Sequence, residues 1–212
     1  MSLSRRHLIV LCIAAALVLG WFLWRGASRN YVNLPPTATG PWIAFGDSLT
    51  EGVGAASGNS YPAQLSQRLG IPIENLGVAG AKSSDGLSRL PQIEELNPRV
   101  VLLCFGGNDV LQGVRRDEMI SNVSVMIDRL QARGSFVVLV GVRGASLVGD
   151  RNASAFKNLA KEKKVLFVSD ILDDVLGTPN LMSDYVHPND AGYAKIAERV
   201  EKALKPVLIK LR

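Results

Sequence analysis

Short apolar runs alternate with helix-like stretches from about residue 41 to the end of the chain. The apolar runs have strand character and lie at residues 42–45, 72–76, 100–105, 136–141 and 165–168. Helical patterns cover residues 61–69, 84–90, 117–133, 152–163 and 191–204. Short apolar strands separated by helices predict an α/β fold, in which a parallel sheet of five strands is covered on both faces. Right-handed crossovers place the loops that follow the strands on one edge of that sheet, where open α/β folds bind ligands.

The first 26 residues carry a different pattern. Residues 8–24 form an apolar segment without a charged side chain, and Arg5 and Arg6 precede it. Its length is at the lower limit of a membrane span and above the usual core of a cleavable signal peptide. Small residues at 26–28 would suit cleavage, whereas the aromatic residues just before them favour an uncleaved interfacial anchor. Both alternatives predict export, either to the periplasmic face of the inner membrane or into the periplasm.

The remainder of the chain has the composition of one nearly neutral domain. The proline-containing residues 27–40 are predicted to be a linker, and residues 41–212 a single domain. The formal net charge is +5, but four arginines precede residue 30, which leaves 20 of the 24 basic residues against 19 acidic ones. We therefore expect no nucleic-acid partner, and nothing in the sequence demands a partner protein. Cys104 is the only cysteine outside the apolar segment, so the domain cannot contain an internal disulfide.

The first strand leads into the stretch Phe45-Gly46-Asp47-Ser48-Leu49-Thr50-Glu51-Gly52. A serine placed where a buried strand ends can project its hydroxyl from the ligand-binding edge of the sheet. The alternative is that Asp47 and Ser48 only cap the next helix, because both residue types accept hydrogen bonds from the free amides at a helix start. This stretch alone leaves both interpretations open.

Two downstream stretches carry further polar groups. Asp184 lies three residues before His187, a spacing at which its carboxylate can hold the imidazole Nδ1 and leave Nε2 free as a base. Asn108, in Gly106-Gly107-Asn108-Asp109, supplies a side-chain amide after the third strand, and Gly80 follows the second strand. Such donors could hold an oxyanion. Each stretch has a plainer alternative, because the same residue types also form helix entries and strand-exit turns.

Taken together, these stretches closely resemble the SGNH hydrolases, also called the GDSL family of esterases and lipases. The resemblance covers about residues 42–204, and its four elements occur in order: Gly46-Asp47-Ser48-Leu49, Gly80, Gly106-Gly107-Asn108-Asp109, and Asp184 with His187. It implies a flavodoxin-like, three-layer α/β/α fold and a serine esterase mechanism without a metal or an organic cofactor. By this resemblance Ser48 is the nucleophile, His187 the general acid and base, and Asp184 the residue that orients His187. The backbone amides of Ser48 and Gly80 and the side chain of Asn108 would form the oxyanion hole.

The compact bacterial members that this chain resembles include arylesterases, lysophospholipases and acyl thioesterases. We therefore expect a small-molecule ester or lipid substrate, such as an aryl or acyl ester or a lysophospholipid. Val110, Leu111, Val142 and Leu147 could line an acyl groove or belong to the core. One alternative is an O-deacetylase acting on an envelope glycan. A different class, a membrane-tethered binding module without catalysis, would be expected to lose Ser48, Asn108 or His187.

Overall fold

The computed structural model describes residues 30–142 and 151–212. The strands are β1 (Trp42–Gly46), β2 (Ile73–Gly77), β3 (Val100–Cys104), β4 (Phe136–Val140) and β5 (Leu166–Val168). The helices are α1 (Ser48–Glu51), α2 (Tyr61–Leu69), α3 (Ser83–Glu95), α4 (Gly107–Leu111), α5 (Arg116–Ala132), α6 (Arg151–Glu162), α7 (Asp190–Leu204) and α8 (Leu208–Leu211). A 3₁₀ turn spans Pro179–Leu181.

The five strands form one parallel sheet in the order β2-β1-β3-β4-β5. This is the flavodoxin-like order, so the predicted fold class is confirmed. The strand order reverses between β1 and β3, the point at which such sheets bind ligands outside the carboxyl ends of the strands. Gly46 at the end of β1 is in register with Gly77 of β2 and Cys104 of β3. The loops that follow these three strands therefore start side by side.

The sheet separates two hydrophobic cores, because successive side chains of a strand point to opposite faces. In β3, Leu102 and Cys104 enter the core covered by α2 and α7, whereas Val101 and Leu103 enter the core covered by α3, α5 and α6. All of these side chains are fully buried. Burial of each large apolar side chain stabilises the fold by about 1.5–3 kcal/mol, so the two cores hold the sheet edge rigidly beneath its loops.

The helices differ from the predicted ones in two respects. Helix α3 continues through Pro91 to Glu95, beyond the predicted end at Leu90. A proline inside a helix costs about 3 kcal/mol, but Leu90 and Ile93 on either side are buried and can offset this. The short helices α1, α4 and α8 were not predicted, because four or five residues are too few to show a helical period.

Residues 31–40, predicted to belong to a linker, pack against the domain instead. The ring of Tyr31 meets that of Phe136 edge-on, with 5.9 Å between the ring centroids. The Val32 N–H donates to the Lys164 carbonyl over 3.0 Å. The compact unit accordingly begins at Tyr31. The sequence did not predict this packing, because residues 31–40 contain two prolines and several small residues, as linkers do. The one aromatic residue among them, Tyr31, makes the ring contact with the domain.

Both ends of the compact unit lie at the amino edge of the sheet, opposite the loops that follow the strands. At the N-terminal end, Phe136 opens β4 and Lys164 precedes β5. At the C-terminal end, the guanidinium of Arg99, which directly precedes β3, donates to the Leu211 carbonyl over 2.7 Å. These contacts fix where the chain enters and leaves the domain.

Among the helices of residues 30–142 and 151–212, none combines the length and hydropathy needed to cross a membrane. The predicted anchor or signal peptide at residues 1–26 lies outside the residues that the structure describes.

Candidate active site

Ser48 is the first residue of α1, and only Asp47 separates it from the end of β1 at Gly46. The Asp47 carboxylate caps this helix by accepting a hydrogen bond from the Leu49 N–H over 3.0 Å. The capping interpretation therefore holds for Asp47 and leaves the Ser48 hydroxyl free for another contact. A Cβ at position 46 would collide with the Thr50 hydroxyl and lie 2.5 Å from the Cys104 carbonyl oxygen, so glycine is required where the strand turns into the helix.

A second loop brings His187 to this serine. The Asp184 carboxylate accepts from the backbone N–H groups of Val186 and His187 through Oδ1, over 2.7 Å each. Its Oδ2 lies 2.7 Å from His187 Nδ1, and His187 Nε2 lies 3.1 Å from Ser48 Oγ. The structure thus joins three of the predicted residues, Ser48, His187 and Asp184, in one hydrogen-bonded chain.

The charge of Asp184 determines which nitrogen of the His187 imidazole carries the proton. The hydrogen bond from His187, followed by those from the two backbone N–H groups, lowers the pKa of Asp184 to about 2. Asp184 is therefore an ionised acceptor at neutral pH, which requires that His187 Nδ1 carries a hydrogen. In a neutral imidazole Nε2 is then unprotonated and can accept the hydroxyl hydrogen of Ser48.

The predicted oxyanion donors lie beside the same serine. Ser48, Gly80 and Asn108 all line one cavity. Gly80 has a φ of +78°, a left-handed conformation that favours glycine. The Asn108 side-chain amide donates one hydrogen to the Ala81 carbonyl over 3.1 Å. Since an amide nitrogen carries two hydrogens, the second one can serve a ligand in the cavity.

Two buried carboxylates lie at the site, Asp47 and Asp109, and the sequence indicated the burial of neither: Asp47 was considered only as a motif residue and helix cap, and Asp109 only as a motif residue. Asp47 is 2% exposed, and its burial raises its pKa to about 6, although the hydrogen bond from the Leu49 N–H opposes this shift. Asp109 is 1% exposed and accepts from both the backbone N–H and the hydroxyl of Ser83. Glycines and polar residues adjoin both in the sequence, so no local pattern marks them as buried.

The cavity has a volume of about 280 Å³ and an apolar wall. Besides Asp47, Ser48, Asn108 and His187, its lining among the described residues is glycine, alanine and larger apolar side chains, namely Leu49, Val53, Leu111, Val142, Leu172, Leu176 and Val186. Two of the residues proposed for an acyl groove, Leu111 and Val142, are therefore on this wall. Val110 packs against the core beneath α3 and α5, and Leu147 lies outside the described residues.

The loops that carry Ser48 and His187 are fastened to each other. Asp190, the first residue of α7, accepts from the Ala56 N–H over 2.7 Å and from the Asn59 side-chain amide over 2.8 Å. On the same helix, the Tyr193 hydroxyl donates to the Val53 carbonyl over 2.8 Å. These bonds tie the segment after α1 to the helix that follows His187, so they support the alignment of the imidazole and the serine.

A serine hydroxyl, an imidazole and a carboxylate hydrogen-bonded in series are arranged as in serine hydrolases. Here they lie at the carboxyl edge of an open parallel sheet, next to its switch point. The class defined by the fold and the site is therefore a hydrolase built on a flavodoxin-like sheet.

Comparison with known proteins identifies the family. Residues 44–195 match the model of the GDSL-like Lipase/Acylhydrolase family, so the chain belongs to that family, and the resemblance to SGNH hydrolases is confirmed. Esterase TesA of Pseudomonas aeruginosa is 30% identical over 177 residues, covering 78% of this chain and 88% of that protein. Thioesterase 1/protease 1/lysophospholipase L1 of Escherichia coli is 29% identical over 174 residues, covering 78% and 84%. The crystal structure of TesA matches with a TM-score of 0.74 at 28% identity, covering 79% of this chain and 99% of that one.

The family and its named relatives establish the general activity. The matched region spans β1 to α7 and contains Ser48, Gly80, Asn108, Asp184 and His187. The protein is accordingly an esterase of the SGNH type.

Proposed function

We propose that the protein hydrolyses acyl esters or thioesters, including aryl esters and lysophospholipids, through an acyl-enzyme on Ser48. The observation that carries this proposal is the hydrogen-bonded chain Asp184–His187–Ser48 at the mouth of an apolar cavity. The esterase and lysophospholipase names of the relatives support the substrate class.

In the first half of the reaction, His187 Nε2 takes the Ser48 proton while Oγ forms a bond to the carbonyl carbon of the ester. The tetrahedral intermediate collapses, the carbon–oxygen bond to the alcohol breaks, and His187 returns the proton to the leaving alcohol. The Asp184 carboxylate stabilises the transient imidazolium and remains ionised throughout. In the second half, water attacks the acyl-enzyme by the same route and releases the acid and free Ser48.

The developing oxyanion would be held by the backbone N–H groups of Ser48 and Gly80 and by the free amide hydrogen of Asn108. Preorganised donors of this kind act where negative charge appears in the transition state. Two observations support this assignment: all three residues line the cavity, and the Asn108 side chain is already oriented by its bond to the Ala81 carbonyl.

The apolar wall supports an acyl group longer than acetyl. Each buried methylene contributes about 0.8 kcal/mol, so a butyryl ester, with two more methylenes than acetyl, should gain about 1.6 kcal/mol, or roughly 15-fold in kcat/KM. The glycan O-deacetylase alternative is less well supported, because an acetyl group would leave the wall around Leu172 and Leu176 unused.

The test is hydrolysis of p-nitrophenyl esters from acetyl to palmitoyl by the full-length protein in detergent, with Ser48→Ala as the matched variant. We expect activity that the variant loses, and a rise in kcat/KM from acetyl to butyryl. A sharp acetyl preference would instead favour the deacetylase. No hydrolysis and no labelling by a fluorophosphonate would exclude Ser48 as the nucleophile.

We also propose that the protein is exported and is held at the periplasmic face of the inner membrane. The support is the apolar segment at residues 8–24 with its flanking arginines and aromatic residues. Cell fractionation with intact-mass measurement tests this. An unshortened chain in the membrane fraction is expected, a shortened chain in the periplasm would indicate a cleaved signal peptide, and a cytosolic chain would refute export.

A further inference from the structure

We propose that Asp109 and Ser83 are positioning residues that set the spacing between two predicted oxyanion donors, Gly80 in the loop after β2 and Asn108 in the helix after β3. This inference rests on the proposed function. It concerns buried groups behind the cavity, whose bonds join the loop after β2 to the helix after β3.

The first link runs from Asp109 to the start of α3. One carboxylate oxygen accepts from the Ser83 backbone N–H over 2.9 Å, and the other accepts from the Ser83 hydroxyl over 2.5 Å. Ser83 is fully buried and Asp109 is 1% exposed. Two hydrogen bonds from one residue to the two oxygens of one carboxyl group restrict both its position and its orientation, and both bonds here are buried. Ser83 is therefore held tightly to the residue that follows Asn108.

The second link is made by Asn108 itself, whose amide donates to the Ala81 carbonyl over 3.1 Å. Ala81 follows Gly80, so adjacent residues of α4, Asn108 and Asp109, bind successive parts of the loop that carries Gly80. A Cβ built on Gly80 would find no atom within 4 Å. The side of Gly80 on which a side chain would stand is thus open space, so the hydrogen bonds made by the neighbouring residues are important for its position.

A further contact fixes the direction of the Ser83 hydroxyl. It accepts from the Asn122 side-chain amide of α5 over 3.1 Å while donating to Asp109. With both its partners in place, the hydroxyl has one defined orientation. The other end of the Gly80 loop is held separately, by the bond from the Ala79 N–H to the Glu51 carboxylate. Loss of the Ser83 hydroxyl should therefore loosen one side of the loop without unfolding it.

The test measures Ser83→Ala in the wild-type and in the Asn108→Ala background, using p-nitrophenyl butyrate. In the wild-type background we expect kcat to fall about 10-fold with KM within about twofold, because misplacing a donor by a fraction of an ångström weakens transition-state binding. In the Asn108→Ala background the oxyanion hole is already incomplete, so the same substitution should cost less than about threefold.

Ser88→Ala is the matched control, since this exposed serine of α3 donates only to the Ser84 carbonyl in its own helix, and it should leave kcat unchanged. Asp109→Asn is a second variant that keeps the side-chain size and should also lower kcat. Its NH₂ group replaces one of the two carboxylate oxygens, so one of the two Ser83 donors loses its acceptor. Equal losses for Ser83→Ala in both backgrounds, or a lowered Tm with unchanged kcat, would overturn the proposal. Failure of the proposed function would appear differently, as a wild-type protein without Ser48-dependent hydrolysis.

Discussion

Replacement of Asp184 by asparagine tests the hydrogen-bonded chain most directly. The side chain keeps its size, and its carbonyl oxygen can still accept from the backbone N–H groups of Val186 and His187, which now contact Oδ1 over 2.7 Å. Its NH₂ group then faces His187 Nδ1 at the position of Oδ2. A donor at this position favours the imidazole tautomer with Nδ1 unprotonated and Nε2 protonated. That tautomer cannot accept the proton of Ser48.

The expected loss follows from the exposure of this pair. In a serine protease with a buried aspartate, the equivalent substitution lowers kcat about 10⁴-fold through the wrong tautomer. The Asp184 side chain is 50% exposed and that of His187 20%, so water can partly replace the lost contact and allow the productive tautomer. We therefore expect kcat to fall about 10³-fold, with KM nearly unchanged.

The assay is stopped-flow or steady-state hydrolysis of p-nitrophenyl butyrate at pH 7.5, together with the rate of fluorophosphonate labelling of Ser48. Labelling should slow in parallel, because it also needs an activated hydroxyl. Asp173→Asn, in an exposed acid eleven residues earlier in the chain, is the control and should retain activity. A folded Asp184→Asn variant with kcat within about threefold of wild type would refute the tautomer argument.

Three other predictions concern separate parts of the site. Asn108→Ala should lower kcat about 100 to 1,000-fold, measured with the same ester, and an unchanged rate would remove this amide from the oxyanion hole. Leu111→Ala should reduce the preference for hexanoyl over acetyl esters by about fivefold, because it removes part of the apolar wall, and an unaltered chain-length profile would place the acyl group elsewhere. Asp47→Asn should become more stable than wild type as pH rises. The pKa of Asp47 is raised from 3.8 to about 6, so its stabilising contribution is complete below pH 3.8 and is lost as pH rises through about 6. Since asparagine is also a good helix cap, the difference in unfolding free energy, measured by urea denaturation, should grow by about 1 kcal/mol between pH 5 and pH 8. A constant difference would contradict the raised pKa.

The sequence predicts best the features that local patterns determine. The central strands β1, β3 and β4 are fully apolar runs buried on both faces, and their predicted bounds agree with the structure to within one or two residues. The Asp184–His187 pair is similarly local, because three residues of separation allow direct contact. Ser48 could be assigned to the same edge only through the parallel topology, which the alternation of strands and helices implies.

Contacts between residues far apart in the sequence could not be predicted from local patterns. Leu172 and Leu176 reach the cavity from the stretch between β5 and α7, which has few regular elements and no hydrophobic period. The bond between Ser83 and Asp109 joins residues 26 apart and depends on how α3 and α4 settle against the sheet. At the start of the domain, proline content suggested a free linker, whereas the decisive feature is the contact of Tyr31 with Phe136.

The entry of the chain at the amino edge of the sheet has a practical consequence. Tyr31 and Val32 are fastened beside the starts of β4 and β5, whereas the cavity opens where β1 and β3 end. Five-residue strands are about 17 Å long, so at least that distance separates the point of attachment from the mouth of the cavity. Coupling the enzyme to a bead or an electrode through a residue at the start of the compact unit, such as a cysteine in place of Tyr31, should therefore leave the cavity open to dissolved esters, whereas coupling through a side chain of the His187 loop would obstruct it.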